Sequence, residues 1–82
     1  MMRETRLSYR NVDCVINLLR QHIPLNEIVD VDGRVRHKDA RPFFENDTTR
    51  TIKAKRVVLS RAEKNIDLQS LLLRKAEEEL VE

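Results

Sequence analysis

Tryptophan is absent from this 82-residue chain, and the other aromatics amount to one Tyr and two Phe. Any core is therefore aliphatic and modest, and at this length a lone domain is marginal, which favours assembly. The single cysteine, Cys14, excludes an intrachain disulfide. It sits among Val12, Val15 and Ile16 and reads as a buried structural thiol. One glycine cannot build a phosphate-cradling loop, and one glycine with two prolines argues against an all-β fold. His22 and His37 lie 15 residues apart with no carboxylate motif between them, so zinc spacing is lacking and both read as surface or packing residues. No Ser/His/Asp or Cys/His constellation is suggested, and Glu77-Glu78-Glu79 reads as a solvated helix end. Neither catalysis, a cofactor nor a metal is expected. No stretch approaches about 18 consecutive apolar residues, so no membrane span is expected. Arg3 and Arg6 are not followed by an apolar run, so no signal peptide is expected either, and the expected setting is cytoplasmic.

What the chain does have is charge, at 37% of residues, nearly balanced at a net +2. The signs segregate. Residues 1–56 hold 12 Lys+Arg and 8 Asp+Glu, net +4, whereas residues 57–82 hold 4 and 6, net −2. Residues 34–41 carry four bases and one acid, and residues 50–56 four bases and no acid. Such runs are commonly solvated faces, but two of them beside a ribbon also make a phosphate-tracking surface.

Along the chain, Val12, Val15, Ile16, Leu19 and Ile23 recur at helical spacing and predict a helix over residues 8–22, with Ser8 as its cap and Pro24 as its end. Tyr9, Arg10, Asn17 and Arg20 fall mostly outside that stripe. Residues 28–37 then place Asp32-Gly33 between short β-branched runs, which predicts a two-stranded ribbon with a type I′ turn at its tip. Arg34 and Arg36 share one face of its second strand. Asp30-x-Asp32-Gly33 fails as a calcium loop, because Ile28 occupies the first ligand position. Residues 38–44 predict a short helix with Ala40, Phe43 and Phe44 inward, Pro42 either confining it to about one turn or lying in its first turn.

Asn46-Asp47-Thr48-Thr49 is a cap cluster ahead of a Gly- and Pro-free run to Val81. There Ile52, Leu59, Ile66, Leu73 and Leu80 fall seven residues apart, which predicts one long helix that pairs with a copy of itself. The position three residues on holds Lys55, Ala62, Gln69 and Ala76, so this is not a standard leucine zipper. Packing within one chain is the competing reading, and antiparallel pairing or a small bundle fits as well as a parallel dimer.

Three stretches resemble a known family. Residues 33–44 (Gly-Arg-Val-Arg-His-Lys-Asp-Ala-Arg-Pro-Phe-Phe) are similar to the wing-to-helix segment of the small subunits of tailed-phage terminases, lambda-like and related prophage types. Residues 56–63 (Arg-Val-Val-Leu-Ser-Arg-Ala-Glu) are similar to the helix that follows it, and residues 75–81 to the family's ending more loosely. Together they cover about a third of the chain. The departure is at the front, where family members show two helices before the wing and this sequence shows one strong helix. Either the helix-turn-helix is abbreviated, or residues 25–29 form its second helix, or the likeness is architectural.

The expected fold is mainly α: a small winged helix-turn-helix-like head with a β-ribbon over residues 1–48, then a long self-associating helix over residues 49–82. The expected function is DNA binding in a phage or prophage, with homo-oligomerisation. Tyr9, Arg10 and Asn17, with Arg6, would approach the major groove. Arg34 and Arg36 would clamp phosphates or enter the minor groove, and Lys38 and Arg41 would add phosphate contacts. The resemblance implies a genome-packaging role beside a large terminase subunit. Two alternatives remain open: a helical protein–protein adaptor, and a small excisionase-type regulator. A salt-dependent gel shift separates the adaptor from the others, and the location of the DNA site separates regulator from packaging protein.

Overall fold

The run from Thr49 to Val81 does not form one helix. The computed structural model describes residues 7–81, with side chains through Glu79, and divides that run at residues 63–65. Asn65 makes the break. Its side-chain oxygen accepts the Leu68 N–H and its backbone carbonyl the Gln69 N–H, both at 3.1 Å, so a new helix is capped there. On the other side the Ala62 carbonyl accepts from the Asn65 N–H at 3.0 Å and from Gln69 Nε2 at 2.8 Å. An unbroken helix would span about 48 Å. The longest dimension of the described residues is 37 Å.

The described chain is therefore mainly helical, with α1 at Val12–Arg20, α2 at Leu25–Ile28, a 3-10 turn at Lys38–Ala40, α3 at Arg41–Phe44, α4 at Thr49–Ala62 and α5 at Ile66–Val81. The first helix is shorter than residues 8–22 at both ends. Ser8 does not cap it: its hydroxyl donates to Glu79 Oε1 at 3.0 Å, and the Tyr9 N–H meets both Glu79 oxygens at 3.0 and 3.2 Å. That anchor draws residues 8–10 toward α5, and helix begins only after Asn11, whose φ is 68°. The far end stops before Pro24. His22 takes a left-handed φ of 66°, with His22 N–H to Leu19 O at 3.0 Å and Ile23 N–H to Leu18 O at 3.1 Å. These are the two bonds of a Schellman closure, with His where Gly or Asn is usual. Pro24 instead precedes α2 as its cap residue.

The two-stranded ribbon does not form. Among the described residues there is no strand, only an isolated antiparallel bridge between Val29 and Val35. The flanks are committed elsewhere, since Ile28 closes α2 and His37 caps the 3-10 turn by accepting the Asp39 N–H at 3.1 Å. Nor is the tip a type I′ turn. Only Gly33 has positive φ, 83°, and its N–H donates to Asp30 O at 3.0 Å, so residues 30–33 turn as type I with Gly33 in the left-handed bulge position. Asp30 supplies the rest, its Oδ1 accepting the N–H groups of Asp32 and Arg34 at 3.0 and 2.9 Å.

Residues 38–44 match expectation: a 3-10 turn runs into α3, Pro42 lies in the first turn, and Ala40, Phe43 and Phe44 are buried. Thr48 caps α4 by accepting the Thr51 N–H at 3.2 Å. One core joins all of these. Val12, Val15, Ile16, Leu18 and Leu19 of α1 meet Leu25 and Ile28, the Phe43–Phe44 pair, Leu59 and Ala62 of α4, and Leu72 and Ala76 of α5. Each fully buried aliphatic side chain contributes about 1.5–3 kcal/mol. Helix α5 runs antiparallel along α1, because Arg20 Nε meets Gln69 Oε1 at 3.1 Å at one end and Tyr9 meets Glu79 at the other. Cys14 is half-buried rather than buried, and burial, followed by the Asp13 charge, pushes its thiol pKa up.

The five heptad positions consequently do not share one stripe. Leu59 is 1% exposed in the chain's own core, Ile52 and Leu73 pack against that core, and Ile66, the first residue of α5, is 63% exposed. The Leu80 side chain lies outside the described residues. Because the helix breaks between Leu59 and Ile66, a period read across the break joins two different faces. No described helix is long and apolar enough to cross a membrane.

Candidate nucleic-acid interface

The cations of residues 34–41 are placed by the Asp30 turn and the 3-10 segment behind it. Arg34 follows Gly33 directly, and its N–H is held by Asp30. Arg36 is exposed, with Nη1 3.7 Å from Asp30 Oδ2. The Asp30 carboxyl is held below the usual carboxylate range, by the Arg34 N–H first and then by the Asp32 N–H and the Arg36 and Arg34 charges. An ionised Asp30 is thus the organising group of the turn. It was singled out in the sequence only as a failed calcium ligand.

Lys38 and Arg41 come together on one cleft of about 470 Å³, lined also by Val35, Pro42, Phe44 and Glu45. Both cations are exposed, as are Arg34 and Arg36. All four can therefore reach solvent within a short stretch of folded chain. Of the expected set, Lys38 and Arg41 are the two that the fold brings together on one cleft.

The α1 set is not assembled in the same way. Tyr9 is half-buried against the core, and its phenol pKa is raised by burial and by Glu79. Arg10 and Asn17 are exposed, but Asn17 shares its helix face with Asp13 and with Arg20, which is drawn to Gln69. Arg6 lies outside the described residues. Helix α2, which answers whether residues 25–29 are helical, is a single turn with Asn26 and Glu27 outward and no base.

The second basic cluster divides. Arg50 and Lys53 are exposed, whereas Lys55 is 2% exposed in the core. Its ammonium donates to Phe43 O at 2.6 Å, pairs with Asp47 Oδ2 at 2.7 Å and lies 4.2 Å from the Phe43 ring centroid. Asp47 Oδ2 is buried and has no other partner among the described residues. Arg56 donates Nε to Val29 O at 3.1 Å and Nη2 to Asn26 Oδ1, which fastens α4 to the start of the turn. Glu63 Oε2 accepts the Leu25 N–H at 3.2 Å and fastens the other end of α4 to α2. Lys55, Arg56 and Glu63 are thus structural, and for Lys55 helical phase is the signal: it stands four residues before Leu59, on the same face.

No group of three or more His, Cys, Asp or Glu able to hold a metal occurs among the described residues. No protein-family model matches the chain, and comparison with curated proteins and with solved structures likewise finds no match.

Proposed function

We propose that the protein binds DNA and acts by positioning it rather than by chemistry. The observation that carries this reading is the set Arg34, Arg36, Lys38 and Arg41: four exposed cations on a tight turn and the helical turn behind it, the one ion pair among them being the 3.7 Å approach of Arg36 to Asp30. Long cations on a rigid turn suit phosphate contacts, which position a protein on a duplex. Self-association belongs to the same proposal, since two copies would double the contact surface and fix a half-site spacing. Phage genome packaging, with a large terminase subunit as partner, is the setting that the resemblance of residues 33–44 and 56–63 implies.

The test is a gel shift at several salt concentrations. Binding through four phosphates predicts an affinity falling with a log–log slope of about −3.6. Arg34→Ala combined with Arg36→Ala should weaken binding and flatten that slope by about 1.8. A folded protein giving no shift at about 50 mM salt overturns the proposal and restores the adaptor reading.

A further inference from the structure

The outward face of α4 is more uniformly basic than the other helix faces described. At about 100° per residue, Arg50, Lys53, Val57, Ser60 and Arg61 fall on one side, and Lys64 continues their line just past the helix end. All six are exposed. The opposite side holds Lys55, Leu59 and Ala62 in the core. Helix α4 contains no acidic residue. The other exposed helix faces mix signs: α1 presents Asp13 beside Asn17 and Arg20, and α5 presents Asp67, Glu77 and Glu78 beside Arg74 and Lys75. Ordinary solvation would give α4 a mixture too. Its face carries one sign.

We infer that α4, through Arg50, Lys53, Val57, Ser60 and Arg61, is the helix that enters the major groove of duplex DNA, with the Asp30–Arg34 turn as its flanking wing. The inference rests on the DNA-binding reading and replaces α1 as the element that meets the bases. Dimensions support it. Arg50 and Arg61 are separated by about 16 Å along the helix axis, and the major groove is about 12 Å wide, so cations at the two ends reach the backbones on either side. Between them lie Val57 and Ser60. Val57 is 56% exposed, an apolar β-branched side chain on a charged face. A thymine methyl is the groove feature that matches it, and a serine hydroxyl can meet either a donor or an acceptor.

Placement of the turn agrees. A Cβ built on Gly33 would lie 3.0 Å from Thr49 Cγ2 and 3.2 Å from Lys53 Cγ, so the turn bears directly on the first two turns of α4. Arg34 is the next residue, so the turn that carries it adjoins the N-terminal part of the basic face. The Arg56 contacts to Val29 and Asn26 hold the two elements in that relation.

The experiment measures binding of the full chain to a short labelled DNA duplex by fluorescence anisotropy across a salt series, with circular dichroism melting as the folding check. Arg50→Gln, Lys53→Gln and Arg61→Gln combined should leave the melting curve unchanged. The triple variant should bind at least about tenfold more weakly and flatten the log–log salt slope by about 2.7, three contacts at roughly 0.9 each, from the roughly −6.3 that these three and the four turn cations give together. Val57→Ala with Ser60→Ala should keep the salt slope and change the sequences recovered in a selection from random duplexes, because these side chains meet bases rather than phosphates. A triple variant that binds as the wild type does overturns the assignment of α4 while leaving DNA binding intact. Unchanged selectivity in the Val57/Ser60 variant overturns groove entry. Equal competition by duplex RNA also overturns it, since the A-form major groove is too narrow for a helix. If the wild type binds no duplex, both this inference and the DNA reading fall.

Discussion

Residues 34–41 and residues 50–56 carry four cations each, yet the fold uses them differently. In the first stretch Arg34, Arg36, Lys38 and Arg41 are all exposed, because the inward positions of the turn, the 3-10 segment and the short helix are taken by Val35, Ala40, Phe43 and Phe44. In the second, a regular helix assigns each residue a side, so Arg50 and Lys53 face water, Lys55 is sealed against Phe43 and Asp47, and Arg56 is tied to Val29 and Asn26. Equal counts of charge therefore describe different objects. On the irregular stretch the count is a surface property, and on the helix only the part in the outward phase is.

The largest effect that separates the two stretches is at Lys55. Removing it by Lys55→Ala strands the Asp47 carboxylate in a site 19% exposed and opens space beside Phe43. Losing one partner of a buried pair costs about 3–5 kcal/mol, and partial rehydration of Asp47 places this case near 3. Urea denaturation should show that loss, whereas Lys53→Ala, two residues away, should stay within about 0.5 kcal/mol of the wild type. The roles reverse in DNA binding, where Lys53→Ala should weaken the complex. Equal stability of the two variants would break the inward–outward division.

That division also explains what the sequence disclosed. The hydrophobic periods of α1 and the Ala40-Pro42-Phe43-Phe44 segment were readable because one local period governs each. The seven-residue period through Ile52, Leu59, Ile66, Leu73 and Leu80 misled because it is blind to Asn65, an ordinary polar residue that becomes a cap only once Gln69 and Ala62 close the corner around it. The ribbon misled for a similar reason. Asp32-Gly33 names a turn correctly, but Asp30 decides its type by collecting two N–H groups, and α2 and His37 take the residues that strands would need. The Ser8 cap was lost to Glu79, a partner 71 residues away that no local pattern contains. In the candidate interface, the exposed cations of residues 34–41 were legible as a run, whereas the α4 face required the helix boundary and its phase.

A smaller effect tests the joint between the two stretches. Gly33 has a φ of 83°, and a Cβ there would meet Thr49 Cγ2 at 3.0 Å and Thr49 O at 3.1 Å. The backbone carbonyl cannot swing aside as a side-chain tip would. Gly33→Ala therefore carries both the left-handed penalty of about 1–2 kcal/mol and the contact, for a loss of about 2 kcal/mol in thermal or urea unfolding. The turn that carries Arg34 should then shift against α4, so DNA affinity should fall even at temperatures where the variant remains folded. A Gly33→Ala protein with unchanged stability and affinity would mean that the turn and α4 are independent surfaces.

The smallest effect concerns Asp30 and has a defined pH range. Its folded pKa lies below the ordinary carboxylate value because the ionised form accepts the Arg34 and Asp32 N–H groups and faces Arg36. A depressed folded pKa contributes stability that is fully present above the unfolded value, near 3.8, and is lost as pH falls through the lower folded value. Stability should therefore be flat with respect to this group at neutral pH and decline below about pH 4. Asp30→Asn keeps a side-chain acceptor but has no titration, so its unfolding midpoint should be lower at neutral pH and should converge on that of the wild type in acid. The opposite trend, a variant that diverges from the wild type as pH falls, would show that the Asp30 charge opposes the turn rather than organising it. The exposed cations that follow would then owe their placement to Gly33 and the bridge between Val29 and Val35 alone.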